Sequence, residues 1–563
     1  MSAHSQMQPI EGTVMNNAGG QSYKISPEKM LLRFLILGSD KPQYYVTEKE
    51  NNLEHLTNIL VMVEEGSGLE IVNTLVNVSV EARAPKQTYT LLVLAICSLS
   101  KDLELKKAAN EAVQKICRIP THLFEYLDLR EKISLKMNGT TGWGRSQRKV
   151  IERWYNEHKN GSELELIRSA TKYMSRHGYT HRDALRLGHP KPNSFARKII
   201  YSYLTSGLEK TLKVSEAIRE KKPSPCELSN ATAVLDFILA VEEAKGLGKD
   251  KGKEMCELID SHHLVREHIP SELLNSVDVW ITLLKGMPLT ALIRSLGKVS
   301  TFTEITECET HIQGIVDKIT DKNVIERSKI HPLTVLLAHL TYGHGGGYKG
   351  SLTWTPDVRV VSALDTAFEL SFKNVVPSSK RILNAVDVSA SMTAPCTGGS
   401  GMSITCHEAA TVMALIMVRT EPFCHTVFFS SGKDRCSFQH SELEEIPLRK
   451  ETSLKEAFEM TQRGNFGCTD CALPMMYALS KKIEIDTFIV YTDSETYWGD
   501  IHPSEALKKY RTEMNIPNAK LVVMGMQSNK FSIADPNDPG MMDVVGFDSA
   551  SPQIVSDFSG DRL

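Results

Sequence analysis

Apolar residues recur at three- and four-residue intervals through roughly the first two thirds of the chain, then gather into short unbroken runs in the last third. The first pattern marks amphipathic helices and the second marks strands buried on both faces of a parallel sheet. The spacing predicts helices over 53–65, 87–98, 105–116 and 231–244, each ending in glycine, proline or polar turns. Residues 1–21 are polar and read as a disordered tail. Beyond Val375-Val-Pro-Ser-Ser379, which reads as a linker, strands and helices alternate: 381–387, 407–419, 425–429, 454–462, 471–481, 487–492, 504–512 and 520–526. Such alternation builds a parallel sheet covered by helices on both faces.

The expected fold class is therefore multidomain, α followed by α/β. Its divisions are a tail (1–21), a helical region (22–375) and a doubly wound domain (376–563). Many short helices suggest a repeat stack of the HEAT class, with degenerate repeats because no crisp period is visible; a plain multi-helix globule is the alternative. The glycine-rich turn at 343–350 lacks the lysine and hydroxyl of a phosphate loop and reads as a connector.

Composition adds limits. A 563-residue chain exceeds what one core organises. No apolar run nears the ~20 residues of a membrane helix, and the N-terminus holds no apolar signal core. The expected location is cytoplasmic, with nuclear access, and the eleven cysteines read as free thiols in a reducing compartment. Net charge is −3, which conceals an asymmetry: residues 131–200 carry 15 Lys/Arg against 6 Asp/Glu, while 361–563 carry 18 against 26. A tract of net +9 inside a near-neutral chain points to a polyanion, most often nucleic acid; a solvated helical face is the bland alternative.

Two constellations carry chemistry. On a helix, Arg145, Arg148, Lys149 and Arg153 fall near one face, beside Trp154 and Tyr155. Cations hold phosphates and rings stack on unpaired bases, although such aromatics also serve as core. A second basic group follows, with Lys172, Arg176, His177, His181, Arg182, Arg186 and His189. His177 and His181 have zinc-like spacing, but Gly178 interrupts the helix, so a phosphate-facing patch is the better reading.

The other constellation is Asp387-Val-Ser389-Ala-Ser391 at the end of an apolar strand. It is joined by Thr469-Asp470 before a helix and Thr492-Asp493 at a second strand end. These hard oxygen groups suit Mg²⁺ or Mn²⁺. Their order resembles the metal-ion-dependent adhesion site of a von Willebrand factor A domain. That resemblance implies metal contact by Ser389, Ser391 and Thr469, backed by Asp387 and Asp493. The segment 396–402 is expected as a loop on the metal side.

Taken with 118–124 (Arg-Ile-Pro-Thr-His-Leu-Phe), 142–145 (Gly-Trp-Gly-Arg), the 172–189 tract, 287–292 (Met-Pro-Leu-Thr-Ala-Leu) and 330–332 (Ile-His-Pro), the chain resembles the Ro ribonucleoprotein family. In that family a helical TROVE domain precedes an A domain. The resemblance spans about 23–558. It implies a ring of HEAT-like repeats sealed by the A domain. Small noncoding Y RNAs would bind its basic outer face, and single-stranded 3′ ends of misfolded RNAs, such as defective 5S rRNA precursors, its central hole. By match the family's Y RNA positions are Lys172, Arg176 and His189, and the motif at 118–124 adds Arg118 and His122. The chain departs from the family at Cys468, in the 393–404 loop and at 177–180.

The expected activity is RNA quality control by binding, without catalysis, in a monomer. Protein partners through the A domain are the alternative. A metal nuclease would need a positioned general base, and none is identifiable.

Overall fold

A computed structural model describes residues 68–347 except 82 and 85, then 351–396, 404–431, 441–462, 470–493, 501–526 and most of 533–563. It also describes the short stretches 13–15, 21–23, 31, 34–36 and 43–45. The helix expected at 53–65 lies outside the described residues. The chain divides into two compact units, Leu56–Met287 and Met1–His55 with Pro288–Leu563.

The first unit is helical: α1 (Gly68–Val80), α2 (Thr88–Leu99), α3 (Leu103–Ile116), α4 (Pro120–Asn138), α5 (Arg145–Glu157), α6 (Glu163–Lys172), α7 (His181–Gly188), α8 (Phe195–Ser206), α9 (Leu208–Arg219), α10 (Pro225–Gly246), α11 (Gly252–His262) and α12 (Val277–Gly286). Neighbours pack in chain order and across one step, α2 on α3 and α4, α8 on α9 and α10. Caps set the starts. Asp102 accepts from the Glu104 and Leu105 amides, and Ser224 and Glu227 form a capping box that opens α10 six residues before its apolar stripe at 231.

In the second unit α13 (Leu289–Val299), α14 (Thr303–Thr306), α15 (Glu309–Thr320), α16 (Lys322–Ser328), α17 (Pro332–His344) and α18 (Val358–Ser371) precede the sheet. Among the described strands, β1 (Thr13–Met15), inside the stretch 1–21 expected to be a disordered tail, pairs antiparallel with β2 (Gln21–Tyr23) at its end. The strand β3 (Gln43–Tyr45) pairs in the main sheet, although it falls in the stretch expected to be helical. A short hairpin in the first unit supplies β4 (Ser175–Arg176) and β5 (Tyr179–Thr180). The main sheet continues with β6 (Arg381–Asp387), β7 (Phe423–Ser431), β8 (Ser441–Glu445), β9 (Thr487–Thr492), β10 (Lys520–Gly525) and β11 (Met541–Val545). Its order is β3-β11-β10-β9-β6-β7-β8, parallel throughout except for the antiparallel edge β8.

Helices α19 (Cys406–Thr420), α20 (Leu454–Gln462), α21 (Leu473–Lys481), α22 (Pro503–Glu513) and α23 (Ser551–Ser559) complete the unit. Alternate strand residues divide between the two faces. Leu383, Ala385, Phe488, Val490 and Val523 pack with Met475 of α21 and Leu507 and Tyr510 of α22. Asn384, pointing the other way, donates to the Ala414 carbonyl of α19.

The expected linker at 375–379 is held in place: the Ser378 and Ser379 amides donate to the buried Glu421 carboxylate at 2.7 and 2.9 Å. Arg419 binds Glu369 and lies over Phe368 and Phe372, fastening α18 to α19. Such contacts join the helices that precede residue 375 to the sheet within one compact unit. Among the described residues no helix is long and apolar enough to cross a membrane.

Candidate nucleic-acid interface and metal centre

Helix α5 shows how the basic tract is displayed. Gln147, Val150, Ile151, Trp154 and Tyr155 are buried at helical spacing, which turns Arg145, Arg148 and Lys149 into solvent and leaves Arg153 half-buried. Trp154 and Tyr155 are core residues. The Trp154 indole N–H donates to the Cys117 carbonyl at 2.7 Å, so neither ring is offered to a base.

Helix α7 lies against α5. A Cβ on Gly188 would come within 2.6 Å of Ile151, so only glycine allows this approach. The exposed side of α7 carries Arg182 and Arg186, and His189 closes it in the left-handed region, also exposed. Preceding α7, the β4–β5 hairpin turns through His177 and Gly178, at φ +49° and +78°, the pair of positive values a tight two-residue hairpin needs. It presents Arg176 to solvent, with half-buried Lys172 at the end of α6 before it. Half-buried Trp143 stacks on Tyr179.

One expected RNA contact needs correction. His181 is only 2% exposed. Its Nε2 faces the Tyr173 carbonyl at 3.0 Å and its Nδ1 the Tyr155 hydroxyl at 2.7 Å, and burial pushes its pKa down to about 4. It is a neutral core histidine, beyond reach of a phosphate. Arg118 and His122 are half-buried at the start of α4. Burial, then the nearby Arg118 charge, lowers the His122 pKa.

The cations here fall into two sets. Arg197, buried, holds Glu163 at 2.7 Å and donates to the Gly161 and Tyr155 carbonyls; Arg168 pairs with Glu165. Arg145, Arg148, Lys149, Arg153, Arg176, Arg182 and Arg186 have no acidic partner among the described residues. The paired set builds the fold, and the unpaired set, apart from half-buried Arg153, faces outward.

In the second unit, β6 and β9 deliver Asp387 and Asp493 side by side, both buried. Asp387 Oδ1 accepts from the Ser389 amide at 2.8 Å and Oδ2 from the Thr492 hydroxyl at 2.7 Å, a contact absent from the expected set. Thr492 ends its strand one residue before Asp493, and that placement was the available signal. Ser389 and Ser391 hydroxyls lie 3.1 Å apart, the first buried and the second exposed. Asp470, mostly buried, accepts from the Ala472 amide at 3.0 Å, while Thr469 lies outside the described residues.

Burial, opposed by these hydrogen bonds and reinforced by the Asp493 charge, pushes the Asp387 pKa up to about 6. Two buried carboxylates beside the buried Ser389 hydroxyl and the exposed Ser391 hydroxyl form an all-oxygen donor set that fits a hard divalent cation. Among the described residues no three His, Cys, Asp or Glu side chains converge on a metal position.

A helical region with an exposed unpaired basic tract, followed by a parallel-sheet domain with hydroxyls and carboxylates at its strand ends, defines a nucleic-acid-binding class of helical protein joined to a von Willebrand factor A domain. Family models describe the two parts: a TROVE domain matches residues 14–341 and a Ro60 vWA domain matches 381–559. The RNA-binding protein RO60 of Caenorhabditis elegans is 35% identical, covering 98% of this chain and 91% of that protein. Its namesake from Deinococcus radiodurans is 33% identical over 98% and 96%. The crystal structure of the Deinococcus radiodurans RO (RSR) protein superposes with a TM-score of 0.81 at 30% identity, covering 96% of this chain and all of that one. The chain belongs to the Ro60 family of RNA-binding proteins.

Proposed function

We propose that this chain binds small noncoding RNAs of the Y type through the cations of α5, the β4–β5 hairpin and α7, and single-stranded 3′ ends of misfolded noncoding RNAs, in RNA quality control. The observation that carries the reading is the set of arginines and lysines left without acidic partners on adjoining elements. Phosphate backbones are the natural complement of such a set, and the bond is electrostatic and little dependent on sequence. Lys172, Arg176 and His189 occupy the positions that the family resemblance links to Y RNA. Lys172 and the hairpin's Arg176 lie just before α7, and His189 closes it. Purifying the native protein and sequencing its bound RNA tests the reading. Enrichment of short structured noncoding RNAs and of transcripts with unpaired 3′ tails is expected. Recovery in simple proportion to cellular abundance would refute it.

We further propose Mg²⁺ or Mn²⁺ at Ser389, Ser391 and Thr469, backed by Asp387 and Asp493. The cation would offset two buried negative charges, and exposed Ser391 leaves a side from which an acidic group of a protein partner could approach. Asp387→Asn should weaken Mn²⁺ binding about 10- to 100-fold in a calorimetric titration, the usual cost of losing an outer ligand. It should also raise the melting temperature of the cation-free protein, because a buried charge is removed. Unchanged Mn²⁺ affinity would exclude the site.

A further inference from the structure

Cations that hold unpaired RNA usually stand beside aromatic rings, and the two rings expected in that role, Trp154 and Tyr155, lie in the core. Trp143, next to the same cations, does not. It is half-buried within the stretch 138–146, which links α4 to α5 and is otherwise exposed. Glycines stand on both sides of it. The Gly142 amide donates to the Thr140 hydroxyl at 3.2 Å, which shapes the turn before the indole. A Cβ at Gly144 would meet nothing within 4 Å, so the backbone after the indole borders open space.

The indole is held in place from one side. It stacks on Tyr179 with ring centroids 6.4 Å apart and 27° between the planes. This is an offset stack, and one ring covers at most one face of an indole. Tyr179 is itself fixed, since it is buried and donates its hydroxyl to Glu131 of α4. In the β4–β5 hairpin Tyr179 pairs directly with Arg176. Cross-strand partners project from the same face, about 5 Å apart at Cβ, so the Arg176 side chain starts beside the stacked rings. Arg145 follows Trp143 by two residues. Both arginines are exposed and lack an acidic partner among the described residues.

We propose that Trp143 is a stacking platform for an unpaired base of the bound RNA, with Arg145 and Arg176 taking the neighbouring phosphates. This role rests on the RNA reading above and narrows it to one contact class, the exposed face of a single-stranded nucleobase. A base inside a duplex has both faces covered by its neighbours and cannot reach the indole. The cations hold the backbone of paired and unpaired RNA alike, because phosphate attraction ignores the bases. Trp143 adds affinity only where a base is free. The tract thereby distinguishes looped or frayed RNA from continuous duplex without reading sequence, since every base has a stacking face.

The full-length protein is titrated with three fluorescent probes of equal length: an oligouridine, the same ribose–phosphate chain without bases, and a blunt RNA duplex. Trp143→Ala should weaken oligouridine about 5- to 100-fold, the range for one base–aromatic stack, and leave the duplex within about twofold. The slope of log affinity against log salt should match wild type, because stacking releases no counterion. Trp143→Phe keeps a ring and should restore most of the oligouridine affinity. Wild type should prefer oligouridine to the baseless chain, and Trp143→Ala should shrink that preference by the same factor. Equal weakening of all three probes, or a flattened salt slope, would show that the turn merely supports the hairpin and its Arg176, and overturns the proposal. Unaltered oligouridine affinity in Trp143→Ala overturns it as well, while leaving the RNA reading intact. A wild-type protein that binds none of the three probes overturns the RNA reading and the stacking role together.

Discussion

Alanine at Arg145, Arg148, Lys149, Arg182 and Arg186 together is expected to weaken binding of a small structured RNA about 10²- to 10³-fold near physiological salt. Each lost phosphate contact removes one released counterion, so the slope of log affinity against log salt should flatten by about 4 to 5. All five side chains are exposed and lack acidic partners among the described residues, so their loss leaves no buried charge stranded. Unfolding free energy should therefore change by no more than about 0.5 kcal/mol per site. Filter binding over a salt series, with urea denaturation as the control, reads both quantities. Arg197→Met makes the opposite case. It strands the Glu163 carboxylate and two carbonyls, so it should lower stability by about 3 to 5 kcal/mol, with RNA affinity of the folded fraction retained.

The second large effect is acid sensitivity of the helical unit. His181 and His268 are both held near pKa 4 by burial, against an ordinary 6.5. Nδ1 of His268 accepts the Val265 amide and its Nε2 faces Thr171, a geometry that requires a neutral ring. The unfolded chain protonates these rings near 6.5 and the folded one near 4, so the unfolded state binds more protons between those values. Stability is fully present above about 6.5 and falls with decreasing pH by about 1.4 kcal/mol per unit for each ring. Each costs on the order of 3 kcal/mol by pH 4. Urea midpoints measured at steps between pH 7 and 4.5 should show this slope, and His181→Gln should lower it by about 1.4 kcal/mol per pH unit, the share of one ring. A slope unchanged by either His181→Gln or His268→Gln would contradict the assignment.

Much of the sheet was legible because its strands are short apolar runs ending in polar residues. The expected limits 381–387 and 487–492 coincide with β6 and β9. The strands β8 and β11 escaped because charges interrupt them: Glu-Leu-Glu at the antiparallel edge and Asp543 within β11. Three residues of β3 carry too little periodicity to read, and nothing local says that their partner lies about 500 residues away. Helix α10 was read too short because periodicity reports only the buried stripe, whereas the Ser224-Pro225 start depends on capping chemistry.

At the candidate interface, charge density outweighed face assignment. His181 shares its side of α7 with Ala184, Leu185 and Gly188, at spacings of three, four and seven, and that pattern marks it as core. The sorting of arginines into paired and unpaired sets could not be read from sequence, because Glu163 and Arg197 meet only through the packing of distant segments.

The most direct test of the central claim is cross-linking of a photoreactive uridine-substituted small noncoding RNA to the native protein, with peptides mapped by mass spectrometry. The cross-links are expected to fall within 143–153 and 172–191 and to disappear as salt rises. Cross-links concentrated in 208–246 or in the 381–559 domain, with these two segments unlabelled, would contradict it.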